Sequence, residues 1–167
     1  MKTIPAILAC CLITAAATAE EFGEAADFDR WYVGGAAELV LPQGGSGMHH
    51  LGGASARFGY YLSPVLAFDV QAAWMEDKAG LSARALWHLQ GFDLWGKLFG
   101  YERFDPFLTV GAKGWIDHGQ VGPSFGIGAL YYLSDHWALR GDADLTIGVE
   151  SDIETIHSLS LGVQYSF

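Results

Sequence analysis

Apolar side chains recur at every second position in eight separate runs, with approximate limits 31 to 40, 51 to 62, 65 to 75, 80 to 90, 106 to 116, 122 to 133, 137 to 148 and 155 to 167. A period of two marks extended chain with one apolar face, and nothing after residue 20 sustains the longer period of a helix. Each run has roughly the 9 to 11 residues that a tilted strand needs to cross a bilayer. In the last run Leu159, Leu161, Val163, Tyr165 and Phe167 share one face, and Ser158, Ser160, Gly162, Gln164 and Ser166 share the other. The seventh sets Trp137, Leu139, Ala143, Leu145 and Ile147 against Arg140, Asp142, Asp144 and Thr146.

A weak internal repeat runs through the pattern. The stretch "FGYYLSPVLAFDVQAAW" aligns with "GALYYLSDHWALRGDADL" at an offset of 71, matching Tyr60 with Tyr131 and Ser63 with Ser134. Each copy reads as strand, tight turn and strand, which suggests two similar hairpins four strands apart in one closed sheet.

Alternation fits a soluble barrel with its apolar face inward, or a membrane barrel with that face toward lipid. The polar face is crowded with small residues such as Gly34, Ala36, Gly59, Gly111, Gly126 and Gly162, which suits a narrow interior better than a wetted surface. Trp31, Trp74, Trp115, Trp137, Tyr60, Tyr131 and Phe167 collect near strand ends, where a bilayer interface selects aromatics. The first nineteen residues read as a secretory signal: Lys2, the apolar "IPAILACCLITAA", and small residues at Ala17 and Ala19. Both cysteines, Cys10 and Cys11, fall inside it, so the mature chain offers neither a disulfide nor a cysteine metal site. Cleavage before Cys10, as in a lipoprotein, would leave too short an apolar segment. These features favour the membrane barrel, since closure satisfies every backbone N–H and C=O in hydrocarbon.

Charge narrows the partners. The whole chain carries a formal net charge of −10, and loss of Lys2 makes it more acidic, so nucleic acid is excluded as a partner. The acidic stretch "EEFGEAADFD", residues 20–29, reads as a solvated linker. The expected organisation is a signal peptide at 1–19, that linker at 20–29, and an all-β, eight-stranded antiparallel up-and-down transmembrane β-barrel at 30–167.

The stretches "WYVGGAAE", "FGYYLSPVLAFDV", "FDPFLTVGAKG", "LYYLSDHWALRGDADL" and the terminal "LGVQYSF" resemble the eight-stranded OmpA-type outer-membrane barrel family of Gram-negative bacteria. The resemblance implies a bacterial outer-membrane location, outer-membrane lipid as the surroundings, and transient contact with periplasmic chaperones and the barrel-assembly machinery. In that family the last strand acts as an assembly signal, and Val163, Tyr165 and Phe167 are the matching positions. A monomer is expected. No counterpart of full-length OmpA's peptidoglycan-binding domain is seen in the sequence, so wall anchoring is not implied.

An even strand number with both ends in the periplasm puts turns near 63–64, 91–105 and 134–136 on that side, and loops near 41–50, 76–79, 117–121 and 149–154 outside. The connection "GFDLWGKLFGYERFD" places Phe92, Trp95, Leu98 and Phe99 at helix-like spacing, an expectation of a short interfacial helix over 91–105.

Eight charged residues fall on the inward face: Glu38, Asp69, Asp142 and Asp144 with Arg57, Arg84, Lys113 and Arg140. Four of each sign can neutralise one another, so a structural ion-pair plug is expected, with a small gated pore or a ligand pocket between those charges as the alternative. Some barrels of this size resemble lipid A deacylases that use a His-x-Ser pair, but here Leu159 stands where that serine should be. His157 and the serines Ser158 and Ser160 lie on opposite faces, so no enzyme is expected. His49 and His50 in a Gly-rich loop read as solvated; no metal and no cofactor are expected. The expected role is structural or surface interaction at the outer membrane. The alternative is a narrow porin or small-molecule carrier, and a soluble secreted barrel is the remaining reading.

Overall fold

A computed structural model describes residues 30–43, 51–76, 78–89, 103–116, 120–148 and 155–167. They form eight strands: β1 (Arg30–Gln43), β2 (Leu51–Ser63), β3 (Leu66–Met75), β4 (Lys78–His88), β5 (Phe104–Trp115), β6 (Gln120–Tyr132), β7 (Trp137–Ile147) and β8 (Thr155–Ser166). Every strand pairs antiparallel with its sequence neighbours, and β8 pairs with β1, so the sheet closes into a barrel with no free edge. Among the described residues no helix is long and apolar enough to cross a membrane.

Closure requires a tilt, and the pairing register carries it. Tyr32 pairs with Gly59, Gly59 with Asp69, Asp69 with Arg84, Arg84 with Gly111, Gly111 with Ser124, Ser124 with Thr146, Thr146 with Ile156, and Ile156 with Pro42. One circuit thus climbs β1 from Tyr32 to Pro42, and the strands slant across the wall. β1 begins and β8 ends at the same rim, called here the terminal end, where the β2–β3 and β6–β7 turns also lie.

The barrel is inside out relative to a soluble protein. Leu161 is 69% exposed and Ile127 62%, whereas Arg140 is 2% exposed and Asp69 3%. The period-two pattern is the cause, because alternate side chains leave opposite faces of the pleat. At the terminal end Trp31 stacks on Phe58 at 4.9 Å and lies 4.5 Å from Tyr60, while Trp137, Tyr165 and Phe167 form a second outward aromatic group. The Phe167 N–H donates to Trp31 O at 2.9 Å, which holds the end of β8 to β1.

Trp115 departs from the expected girdle. It is 4% exposed and lies inside the barrel, because its parity on β5 matches Lys113, whose ammonium sits 5.0 Å from its ring. The loop expected over 76–79 is tighter than anticipated: Met75 already pairs with Lys78, and Glu76 takes φ 47° as so short a hairpin demands. The interfacial helix expected over 91–105 falls largely outside the described residues, but Phe104 and Asp105 belong to β5. The signal peptide and acidic linker, and His49 and His50, also lie outside the described residues.

The repeat has a physical basis in its turns. Ser63 Oγ accepts from the N–H groups of Val65 (3.3 Å) and Leu66 (3.1 Å), and Ser134 Oγ accepts from those of His136 (3.4 Å) and Trp137 (3.1 Å). The same hydroxyl closes the same turn on opposite sides of the barrel. Ser63→Ala, at the buried copy, is expected to cost about 0.5–1.5 kcal/mol, and Ser134→Ala, in the exposed turn, the lower part of that range. Urea-dependent unfolding from lipid vesicles would check both.

Candidate functional site

Alternation fixes which residues enter the lumen, and glycines opposite the long ones give them room. At Gly126 a Cβ would meet the Asp144 carboxylate and the Thr109 hydroxyl, so only glycine admits that pair. The eight charged residues placed inward by parity are all removed from solvent. A bare buried ion costs several kcal/mol, so such residues persist only when paired and hydrogen-bonded.

Six of them form one cluster across the middle of the barrel. Arg84 grips Asp69 with two parallel bonds, Nε to Oδ1 at 2.9 Å and Nη2 to Oδ2 at 3.0 Å, and its Nη1 reaches Asp144 at 2.9 Å. Arg140 Nη2 donates to Asp69 at 2.9 Å and to Asp142 at 2.8 Å, and its Nη1 donates to Gln164 at 3.1 Å. Arg57 Nη1 meets Asp142 at 2.6 Å, while its Nη2 donates to Ser160, whose hydroxyl in turn donates to Asp142. Thr109 donates to Asp144 and Tyr32 to Asp69. Three guanidinium groups face three carboxylates, and the forked geometry suits both partners. Asp69 and Arg140, 71 residues apart, occupy matching positions in the two repeats and meet across the lumen.

Glu38 and Lys113 form a separate pair at 2.6 Å, with Gln71 donating to the carboxylate and Ser158 accepting from the ammonium. On the terminal side the Arg140 guanidinium lies 4.8 Å from the Phe107 ring and 5.9 Å from that of Tyr32. There Tyr32, Ala67, Leu86, Phe107, Leu130 and Ala138 make an apolar floor inside the barrel. At the far end Val40, Ala73, Met75, Trp115 and Ile156 make a second apolar layer.

Sequence reasoning missed both apolar layers and the His88–Asp105 contact, Nδ1 to Oδ2 at 2.6 Å, to which Tyr132 donates at 3.3 Å. His88 shares the parity of Arg84 on β4 and so faces inward, but the sequence pattern places Asp105 in the 91–105 connection. Gln71, Gln164 and Thr109 were likewise legible by parity alone. Ser158 and Ser160 are engaged with Lys113 and with Asp142 and Arg57, while His157 has the opposite parity on β8. Among the described residues no group of three His, Cys, Asp or Glu side chains is placed to hold a metal ion. Val163 and Phe167 are exposed on the outer wall, with Tyr165 half-buried among Trp137, His136 and Phe167.

A closed barrel with an apolar exterior and an ionic interior is the arrangement lipid demands. A family model described as the outer membrane protein beta-barrel domain matches residues 6–167. The chain belongs to the outer membrane protein beta-barrel family. It is an eight-stranded barrel of the Gram-negative outer membrane. No curated protein sequence matches it. Among solved structures, this outer membrane protein is similar to OprG of Pseudomonas aeruginosa, at 11% identity and TM-score 0.58, covering 87% of this chain and 98% of that one. It is also similar to the N-terminal barrel of OprF of Pseudomonas aeruginosa, at 19% identity and TM-score 0.54, covering 81% and 97%. A de novo designed transmembrane barrel matches at 16% identity and TM-score 0.58, covering 86% and 100%. At these identities the outer membrane protein shares the fold with its neighbours, and the designed match underlines that this fold by itself assigns no activity.

Proposed function

We propose that the protein is a non-catalytic outer-membrane barrel with a structural or surface-interaction role, its lumen plugged by its own charged side chains. The observation that carries this reading is the six-charge cluster of Arg57, Arg84, Arg140, Asp69, Asp142 and Asp144, whose members bond from wall to wall. An eight-stranded barrel has an interior only wide enough for side chains to fill. Here the apolar floor and the far-end layer lie on either side of the cluster, which supports a lumen without a continuous aqueous path. The serines of β8 that a catalytic reading would need as nucleophiles are spent on Lys113, Arg57 and Asp142.

Assembly fits the same reading. Val163, Tyr165 and Phe167 present an outward apolar row on β8, suited to transient recognition by chaperones and the barrel-assembly machinery before insertion. The folded monomer then has lipid alone as its lasting neighbour on the outer wall.

Planar-bilayer recording tests the plug. The wild-type barrel is expected to give a flat current trace over the accessible voltage range. Discrete, reproducible conductance steps would overturn the plug and favour a narrow porin.

A further inference from the structure

The buried carboxylates of the lumen are not equally supported. Asp69 accepts from Arg84 and Arg140, Asp142 from Arg57 and Arg140, Asp144 from Arg84, and Glu38 from Lys113. Each of these meets a guanidinium or ammonium cation. Asp105, the first inward residue of β5, does not. It is 3% exposed, and its partners among the described residues are His88 Nδ1 at 2.6 Å and the Tyr132 hydroxyl at 3.3 Å. Its other oxygen, Oδ1, has no hydrogen-bond partner, and neither has Nε2 of His88, a residue 1% exposed. A buried carboxylate left to one or two neutral donors is costly, and of the groups touching this one only the imidazole can become a cation.

The pair stands at a corner where three strands meet the terminal end. His88 ends β4, Asp105 lies beside the start of β5, and Tyr132 ends β6. The outermost backbone bonds of that corner join the same neighbours: His88 N–H donates to Val65 O at 2.9 Å, Leu89 N–H to Pro106 O at 2.8 Å, and Tyr132 N–H to Arg103 O at 2.8 Å. The imidazole lies between the rings of Tyr61 at 5.2 Å and Phe107 at 5.4 Å, which shield it from water. Among the described residues the titratable groups surrounding it are Asp105 from β5, Tyr132 from β6 and Tyr61 from β2. Tyr61 accepts in turn from Gln164 of β8 and packs 5.1 Å from Tyr32 of β1. The nearest inward cations, Arg84 on the same strand and Arg140 on β7, are committed to Asp69, Asp142 and Asp144.

We infer that His88 is an imidazolium paired with the Asp105 carboxylate, and that the pair is a proton-dependent clasp holding the terminal ends of β4, β5 and β6 together. With the proton in place the two buried charges match. Loss of the proton leaves the carboxylate facing a neutral ring, and Asp105 has no second cation to make good the deficit. The corner then relaxes toward water, where the carboxylate is solvated, and the adjoining backbone bonds open with it as a local unit. The direction follows: the clasp is closed while His88 is protonated and Asp105 ionised, and it loosens as alkali removes the imidazolium proton. The central cluster has no such dependence, because its guanidinium groups keep their charge throughout. The clasp is also independent of the plug, since the cluster fills the lumen whether the corner is closed or open.

Nitrogen-15 magnetic resonance of histidine-labelled protein folded in micelles reads the ring directly, with His88→Gln identifying its signals. The expected result at neutral pH is a proton on both ring nitrogens of His88. Amide exchange reads the corner. On raising the pH past neutrality, protection of the Leu89 and Tyr132 amides, corrected for intrinsic exchange, is expected to fall about tenfold to a hundredfold, the worth of a hydrogen bond to a charged group. Amides in the middle of β5, such as that of Val110, should keep theirs. Asp105→Asn removes the charge to be matched and is expected to abolish the pH dependence at Leu89 and Tyr132. A bare nitrogen on the His88 ring at neutral pH would overturn the charged pair. Wild-type protection that does not change with pH, or that falls equally in Asp105→Asn, would overturn the clasp. These outcomes are separate from conductance, because a plugged lumen gives a flat trace with the corner in either state.

Discussion

Arg140→Met is expected to destabilise the folded barrel by about 3–5 kcal/mol, the cost of removing one partner from a buried ion pair. Arg140 is 2% exposed and joins Asp69 to Asp142 through one nitrogen, while its other end holds Gln164 and its flat face lies on Phe107. Methionine retains much of the length and the apolar contact, so the loss falls on charge and hydrogen bonding. Arg84 still holds Asp69, and Arg57 still holds Asp142, but the cluster is then left with one carboxylate in excess. Neutralising that excess should recover part of the loss. The double variant Arg140→Met, Asp69→Asn is therefore expected to be more stable than Arg140→Met alone, a non-additivity characteristic of residues in one network. Urea unfolding from lipid vesicles, followed by tryptophan fluorescence, measures both. A cost below about 1 kcal/mol for the single variant would place the cluster among pairs of the weak, solvated kind.

Parity explains what could be read from the sequence and what could not. Once β3 is taken as a strand, Asp69 and Gln71 must share a face opposite Val70, and the same rule turns Arg140, Asp142 and Asp144 inward on β7. All eight charged residues follow from that rule. Their partners do not. Arg57 and Asp142 are separated by 85 residues and sit on strands that never pair, so their meeting depends on the tilt and stagger of the closed sheet. The 71-residue repeat was the one sequence signal that reached across the lumen, since it places Asp69 and Arg140 at matching sites on opposite walls. Trp115 shows the opposite failure. Its position near a strand end suggested the membrane interface, yet Lys113 two residues earlier already fixed its side, and the missing side chain at Gly80 leaves the space its ring fills. The His88–Asp105 contact is hidden in the sequence because β5 begins at Phe104, within the stretch whose pattern reads as a connection.

Leu161→Arg is expected to destabilise the barrel by about 2–4 kcal/mol, whereas Ile116→Arg should cost about 0–1 kcal/mol. The two leucine and isoleucine side chains are almost equally exposed, 69% and 68%, so exposure cannot distinguish them. Depth does. Leu161 lies halfway along β8, flanked by Ala37 on β1 and Gly141 on β7, neighbours too small to shelter a guanidinium group from hydrocarbon. Ile116 stands just beyond the end of β5 at the far rim, where an arginine reaches head groups and water by extending its stem. Unfolding in vesicles at matched lipid composition would measure the difference. A soluble barrel would accept arginine at both sites with little change, because water would solvate the charge at either depth. A steep cost at Leu161 and a small one at Ile116 therefore reads the lipid directly, and it ties the period-two alternation of the sequence to the solvent that selected it.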